Sequence, residues 1–328
     1  MLASYIIMGF AALVFAAWGR PILFTVLTLP MALSLGASFN QDGQLIAATT
    51  LVGALLTRDA VLQPKLRLLA VIVFILVICS KPPYGLLLFA AAVPLSALGL
   101  IRRFGGLALF AIPPLIWVAV MARVSLVPYY KAPYHPGPLW PGSRSILLDT
   151  TNVQDNLLVL LAHPADIILL PWQFLELYWS NILLSAIGVL GWLQIPLHGW
   201  QYHGWELAIS AAFVAGLAAR SAHQVKAADA VFILSLIVAS IVAMELALYL
   251  SWTNVGNAVI EGPSGRYYLL FLPFLILALP RWGGKIGNLF KFKGSAALIE
   301  FILTIPAILM AALDIVYLPN IIARIFHT

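Results

Sequence analysis

The residues best suited to chemistry lie where a polar segment runs directly into an apolar stretch. Residues 261–273 read EGPSGRYYLLFLP, and Arg266 stands at the junction behind a run of Gly, Pro and Ser. A guanidinium is planar and carries paired N–H donors, so its shape suits a phosphate group. Ser264 and Tyr267 lie beside Arg266 and add hydroxyl groups, which favours phosphate binding. The alternative is that Arg266 is only an anchor at the membrane interface.

A second polar island, SFNQD at residues 38–42, interrupts an apolar run in the same abrupt way. Asp42 stands where one helix ends and the next begins, so it is either a helix cap or a carboxylate at the mouth of a cavity. The two roles are compatible, because capping leaves one carboxylate oxygen free. We take Asp42 as the candidate catalytic residue and Asn40 as a substrate-binding residue.

Two more charged residues complete the candidate site. Lys81 lies in the very short loop SKPPY and is either a snorkelling anchor or a second cation for a phosphate. Glu261 is either a substrate-binding residue or the partner of Arg266 in a modest, exposed ion pair. The predicted substrate-binding residues are Arg266, Tyr267, Ser264, Glu261, Lys81 and Asn40.

The chain offers no pattern for a metal or a cofactor. Its single cysteine, Cys79, excludes a disulfide within the chain and a cysteine-based metal site. The spacing of the histidines matches no zinc motif, and the motifs GxxxxGK[ST], HExxH and GxSxG are missing. We therefore expect neither metal nor cofactor. Glu245 is predicted inside a membrane helix, where a carboxylate usually faces a cavity or a partner; Glu300 and Asp314 share this feature more weakly.

The elements that must position these residues are membrane helices. The chain of 328 residues is 62% hydrophobic and only 9% charged, with a mean hydropathy of +1.01. Soluble domains have about 25% charged residues, so the composition predicts an all-α, multi-pass membrane protein. The net charge of +6 is spread singly between apolar runs, so it does not indicate nucleic-acid binding.

Apolar runs separated by short polar breaks predict a single transmembrane domain, 1–328, with about ten spans. We expect six spans in 1–122, an outer loop with interfacial or re-entrant helices in 123–204, and four spans in 205–328. The aromatic-rich part, 123–156, is either an interfacial loop or a lid over the site. The predicted spans are about 2–18, 21–37, 43–57, 66–79, 84–101, 107–121, 205–219, 228–251, 267–279 and 296–318.

Residues 157–196 are ambiguous: one span after an interfacial helix, a tight hairpin or a re-entrant element. Pro removes a backbone donor, so we expect a break near His163-Pro164 or Pro171 rather than one straight helix. An even number of crossings here places twelve of the 18 Lys and Arg residues in the cytoplasm. Both polar islands then lie on the outer face of the membrane.

Three runs resemble the bacterial membrane family called domain of unknown function 2142: LPMALSLGASFNQDGQLIAATTLVGALL, IGVLGWLQIPL and GPSGRYYLLFLPFLILAL. Gly265, Arg266 and Tyr267 match its Gln-Gly-Arg-Tyr-Phe pattern, whereas Ser264 replaces the Gln and Tyr268 the Phe. The family looks like glycosyltransferases of the GT-C fold, which take sugars from polyprenyl-phosphate carriers. The resemblance therefore implies a GT-C-like enzyme of cell-envelope glycan assembly, with a polyprenyl-phosphate carrier and membrane lipid as partners.

One departure from the family bears on catalysis. Family members usually carry an acidic first outer loop, and no such loop precedes Arg20. The resemblance thus implies a chain lacking its N-terminal part, and this absence is what leaves Asp42 as the candidate base. Two other functions stay open: a transporter or flippase for a lipid-linked or anionic solute, and a non-catalytic, truncated membrane protein.

Overall fold

The computed structural model describes residues 1–59, 62–96, 99–125, 151–190, 195–218, 225–279 and 296–326. The described part is helical apart from one short strand and the connections. Its helices are α1 (Leu2–Phe15), α2 (Arg20–Thr28), α3 (Pro30–Ala37), α4 (Gln41–Leu56), α5 (Pro64–Ser80), a 3-10 helix (Pro82–Ala92), α6 (Leu100–Ser125), α7 (Val153–Ala162), α8 (Asp166–Gly188), α9 (Gly199–Ala218), α10 (Ala227–Trp252), α11 (Gly265–Tyr268), α12 (Leu272–Ala278) and α13 (Ala296–Phe326). The strand, Ile195–Pro196, pairs antiparallel with Val189 and Leu190.

Helix α4 is the centre of the bundle. From Asp42 to Leu56 almost every residue is buried, and α1, α2, α3, α5 and α12 pack around it. A helix that is apolar on all sides must be surrounded by other helices or lipid. Gly53 permits a close approach to α12, since a Cβ there would lie 2.8 Å from the Pro273 carbonyl oxygen. The position of α4 therefore fixes the position of Asp42 at its first turn.

Among the described residues, four helices are long and apolar enough to cross a membrane: Leu100–Met121, Asp166–Gly188, Ala227–Trp252 and Leu298–Ile321. Helices α2 and α3 meet the same test together, although a bend of 61° separates them. The bend falls at Leu29-Pro30, where the Pro ring excludes a continuous helix. Large apolar side chains cover the outside of these helices, as lipid-facing surfaces require. The chain is thus an all-α, multi-pass membrane protein.

Charged residues near the ends of α4 and α5 distinguish the two ends of the bundle. Asp42 begins α4 and Lys81 follows the end of α5, so both lie at one end, which we call the site end. Arg58 follows the end of α4, and Arg67 lies near the start of α5. Arg58 donates to the Phe15 carbonyl at the end of α1, so α1 and α4 end on the same side and run parallel. We call this opposite end the arginine end.

Three predicted spans are divided in the structure. The run 21–37 is bent at Leu29-Pro30, between α2 and α3. The apolar run 84–101 is divided: the 3-10 helix ends at Ala92 and α6 begins only at Leu100. Pro94 explains the interruption, because it has no N–H and disfavours helix in the residue before it. The run 267–279 is also divided, into α11 and α12.

The predicted break in 157–196 is confirmed at His163-Pro164. Helix α7 ends at Ala162 and α8 begins at Asp166. Pro171 lies in the second turn of α8 and does not interrupt it. The aromatic-rich part of 123–156 lies largely outside the described residues, so the lid stays a prediction.

Candidate functional site

A buried carboxylate lies between two cations at the site end. Lys81 Nζ is 2.5 Å from Asp42 Oδ1, and Arg266 Nε is 3.4 Å from Asp42 Oδ2. The Asp42 side chain is 5% exposed, that of Lys81 15% and that of Arg266 16%. The loop before Arg266 therefore ends close to the corner formed by residues 40–42. We call Asp42, Lys81, Arg266 and Tyr267 the charged cluster.

Local structure holds Asp42 in a single position. Asn40 caps α4, and its Oδ1 accepts a hydrogen bond from the Asp42 backbone N–H at 2.9 Å. Asp42 lies in the first turn of α4, where the helix dipole favours a negative charge. Gly43 packs directly on α3, since a Cβ there would lie 2.5 Å from the Leu35 carbonyl oxygen. Asn40 is therefore observed as a cap rather than as a member of the charged cluster.

Lys81 contacts the Tyr267 ring as well as Asp42. Its Nζ lies 4.1 Å from the centroid of the Tyr267 ring, a cation–π distance. Tyr84 lies three residues after Lys81. Its hydroxyl donates a hydrogen bond to the Tyr267 backbone carbonyl at 2.9 Å, which helps to position Tyr267. Burial lowers the pKa of Lys81 below its usual value, and Asp42 opposes this effect. An added anion would oppose it further, because a second negative charge favours the ammonium form.

The packing of α11 against α8 positions Arg266 in the charged cluster. Gly265 makes this contact possible, since a Cβ there would lie 2.1 Å from the Ala186 backbone nitrogen. The Gly265 N–H donates to Ser185 Oγ at 2.8 Å, which ties the start of α11 to α8. Arg266 Nη2 donates to the Tyr267 hydroxyl at 3.3 Å, whereas its buried Nε faces Asp42 and makes no hydrogen bond to any described residue. The guanidinium thus keeps donor capacity for another acceptor.

Besides Asn40, two further predicted substrate-binding residues lie outside the charged cluster. Glu261 accepts a hydrogen bond from Asn257 Nδ2 at 2.9 Å, and no ion pair joins it to Arg266 in the described part of the chain. The alternative in which Glu261 pairs with Arg266 is not observed, because the Arg266 guanidinium pairs with Asp42 instead. Ser264 is buried, and its Oγ has no hydrogen-bond partner in the described structure. Both residues lie in the loop that leads to Arg266, so they shape the cluster indirectly.

Sequence reasoning missed Tyr84 and Ser185, which position the cluster from distant parts of the chain. Tyr84 follows the Lys-Pro-Pro turn directly, and this proximity to Lys81 was the available signal. For Ser185, inside an apolar helix, nothing in the sequence pointed to Gly265. Glu245 was flagged as an intramembrane carboxylate, and it accepts a hydrogen bond from the Tyr268 hydroxyl, directly after the cluster.

The charges in the cluster do not cancel. Two cations share one carboxylate, which leaves a net positive charge in a mostly buried place. Such a site attracts an anion, and a phosphate can accept hydrogen bonds from both Lys81 and Arg266. Within the described residues, no three His, Cys, Asp or Glu side chains are grouped so that they could hold a metal ion.

The fold and the cluster define a helical multi-pass membrane protein with a buried, cation-rich site at one end. The family model of predicted membrane proteins called DUF2142 matches residues 1–278, and the chain belongs to this family. No curated protein and no solved structure shows a significant match to the chain.

Proposed function

We propose that the protein is a GT-C-like glycosyltransferase that takes a sugar from a polyprenyl-phosphate carrier in the assembly of a cell-envelope glycan. The observation that supports this most is the charged cluster, which combines phosphate-binding cations with a carboxylate. Lys81 and Arg266 would hold the carrier phosphate, and Asp42 would act as the base. In this proposal the site end faces outward from the bacterial cytoplasmic membrane.

The electrostatics favour a phosphate on a lipid. The cluster lies beside apolar helices, where a charged ligand is costly unless its charge is matched. Lys81 and Arg266 supply two positive charges, of which Asp42 offsets one. A phosphodiester carries one negative charge and would neutralise the remainder. A polyprenyl chain would keep the phosphate at the membrane surface, where the cluster lies.

The reaction follows from the positions of the three groups. When the phosphate binds, it replaces Asp42 as the ion-pair partner of Lys81 and Arg266. The Asp42 carboxylate is then free to accept a proton. Asp42 then accepts the proton of the acceptor hydroxyl, whose oxygen bonds to the anomeric carbon of the sugar. The bond between that carbon and the phosphate oxygen breaks, and its electron pair leaves with the polyprenyl phosphate. Lys81 and Arg266 stabilise the negative charge that develops on this leaving group.

The proposal includes a bundle of about ten spans in one domain. Several described helices are too short for an upright span by length alone, among them α1 and α5. Helix α1 runs parallel and α5 antiparallel to the largely buried α4, which extends between the two ends of the bundle. At a rise of 1.5 Å per residue, the 16 residues of α4 extend about 24 Å, close to the thickness of a thinned bilayer.

A transporter or flippase is the second candidate, and a specific feature favours it. Helices α2 and α3 are broken at mid-length, and broken helices are common at transport sites. The same cations would then hold an anionic solute or lipid phosphate without bond cleavage. Purified protein in vesicles distinguishes the two functions when it is given a polyprenyl-phosphate sugar. Sugar release or transfer supports the enzyme, whereas movement of the intact lipid across the bilayer supports the transporter.

Binding of the carrier phosphate is tested most directly at Arg266. We expect Arg266→Lys to weaken polyprenyl-phosphate binding although the charge is kept, because Lys lacks the planar pair of donors. Arg266→Ala should weaken it further. The matched control is Arg58→Lys at the arginine end, which removes the same guanidinium shape where no carrier is expected to bind.

The measurement is the affinity of each purified variant for polyprenyl phosphate in detergent micelles. Equal affinities for the wild type and both Arg266 variants would reduce Arg266 to an interfacial anchor. A loss in Arg58→Lys of the same size would show that general destabilisation, and not the site, explains the change.

A further inference from the structure

A second basic site lies at the arginine end of the bundle. A cavity of about 220 Å³ opens between α5 and α6, and three arginines line it: Arg67, Arg102 and Arg103. No ion pair joins any of them to a carboxylate in the described part of the chain, although the field of Asp59 offsets part of the charge on Arg67. Three like charges around one cavity repel each other unless an anion is present.

Two of these arginines are fixed in place by the end of the 3-10 helix. Arg67 Nη1 donates to the carbonyls of Ala91, at 2.8 Å, and Val93. Arg103 Nη1 lies 3.3 Å from the Pro94 carbonyl oxygen. Cations at the end of a helix satisfy the hydrogen-bonding capacity of its last carbonyl groups. Both guanidinium groups therefore have a structural role here.

Donor capacity remains after these bonds are counted. The Nε of Arg67 is buried and has no hydrogen-bond partner in the described structure. Arg102 is exposed, and no hydrogen bond or ion pair joins it to the described residues. The site therefore combines a fixed, buried donor with a free guanidinium at its rim, an arrangement suited to a phosphate group.

The other walls of the cavity are apolar: Leu68, Val71, Leu107 and Phe110. Leu68 is 46% exposed and Phe110 40% exposed, on helix surfaces of the kind that face lipid. A free phosphate ion gains nothing from such walls, whereas a phospholipid can place its headgroup among the arginines and its acyl chains along α5 and α6. We propose that this cavity binds the headgroup phosphate of an anionic phospholipid.

This site is separate from the charged cluster. Arg67 and Lys81 lie near opposite ends of α5, and their separation of 14 positions corresponds to about 21 Å along the helix. The two sites would therefore meet lipids of opposite leaflets. The inference does not depend on glycosyl transfer, because none of its residues belongs to the proposed active site.

Native mass spectrometry of the purified full chain tests the proposal. The probes are phosphatidylglycerol, phosphatidylcholine and glycerol 3-phosphate, each added at equal concentration. We expect retained phosphatidylglycerol to exceed both others, because only it combines a net anionic headgroup with acyl chains. Equal retention of phosphatidylglycerol and phosphatidylcholine, or equal binding of glycerol 3-phosphate, would overturn the assignment to an anionic lipid.

Arg102→Gln isolates the site without disturbing the fold, since Arg102 is exposed. One basic residue near a membrane surface changes anionic-lipid binding by about fivefold, and we expect a loss of that size. Lys65→Gln is the matched control: it removes an exposed cation near the start of α5 that does not line the cavity, and should leave retention unchanged. Equal losses in both variants would mean that only the general surface charge matters.

Discussion

Replacing Asp42 with Asn should leave two mostly buried cations without a counter-charge. With an effective dielectric constant of about 20, two opposite charges 2.5 Å apart attract each other by on the order of 6 kcal/mol before desolvation is subtracted. Removing one partner of a buried pair typically costs about 3–5 kcal/mol. Lys81 retains 15% exposure, so we expect a loss near the lower limit, about 3 kcal/mol in the free energy of unfolding.

A double-mutant cycle separates the ion pair from other effects. Lys81→Met removes one of the two cations, so adding it to Asp42→Asn should recover part of the lost stability. We expect a coupling energy of about 2 kcal/mol between Asp42 and Lys81, within the range for residues in contact. The assay is reversible unfolding in mixed micelles, followed by circular dichroism as the denaturing detergent increases.

The control variant for this cycle is Glu206→Gln. Glu206→Gln removes an exposed carboxylate that lies 3.1 Å from His203, and should change stability by less than about 0.5 kcal/mol. If the Asp42 and Lys81 effects simply add, the pair contributes nothing to stability. If Asp42→Asn also abolishes polyprenyl-phosphate binding while the protein stays folded, Asp42 supports the binding site and is more than the base of the reaction.

Three further predictions concern the packing and the orientation of the bundle. Gly265→Ala should destabilise the protein by more than about 2 kcal/mol, because the new methyl group would overlap the backbone of α8; a normal unfolding curve would contradict the packing of α11. Asp314→Asn should cost about 1–3 kcal/mol, since both Asp314 oxygens accept hydrogen bonds from α9, and an unchanged midpoint would show these bonds to be dispensable. In a chain without the native cysteine, Phe39→Cys should react with an impermeant maleimide from outside the cell, and Lys65→Cys only after permeabilisation. The reverse pattern would invert the proposed orientation.

The sequence by itself determined the class and much of the local structure. Composition alone required membrane helices, since no soluble core could bury so much apolar surface. The break at His163-Pro164 followed from proline chemistry, which acts within a few residues of the chain. The polar islands around Asp42 and Arg266 were visible because polar residues are conspicuous in an apolar run. Both features are local, and local patterns can be read from sequence.

Only the tertiary structure decided which of these residues meet. Asp42 could pair with many cations, and the sequence offered Glu261 as the nearest partner for Arg266. The packing of α11 on α8, with Gly265 at the contact, turned Arg266 toward Asp42 instead. Similarly, the packing of α5 against α4 brought Lys81 to the same carboxylate.

The physical reason is the same in each case. Periodicity and capping depend on neighbours in sequence, whereas an ion pair between distant segments depends on which helix faces fit together closely. Membrane helices that are apolar on all sides give little sign of which face meets which neighbour. The fit between faces placed Lys81, Asp42 and Arg266 at one end of the bundle and gathered Arg67, Arg102 and Arg103 at the other.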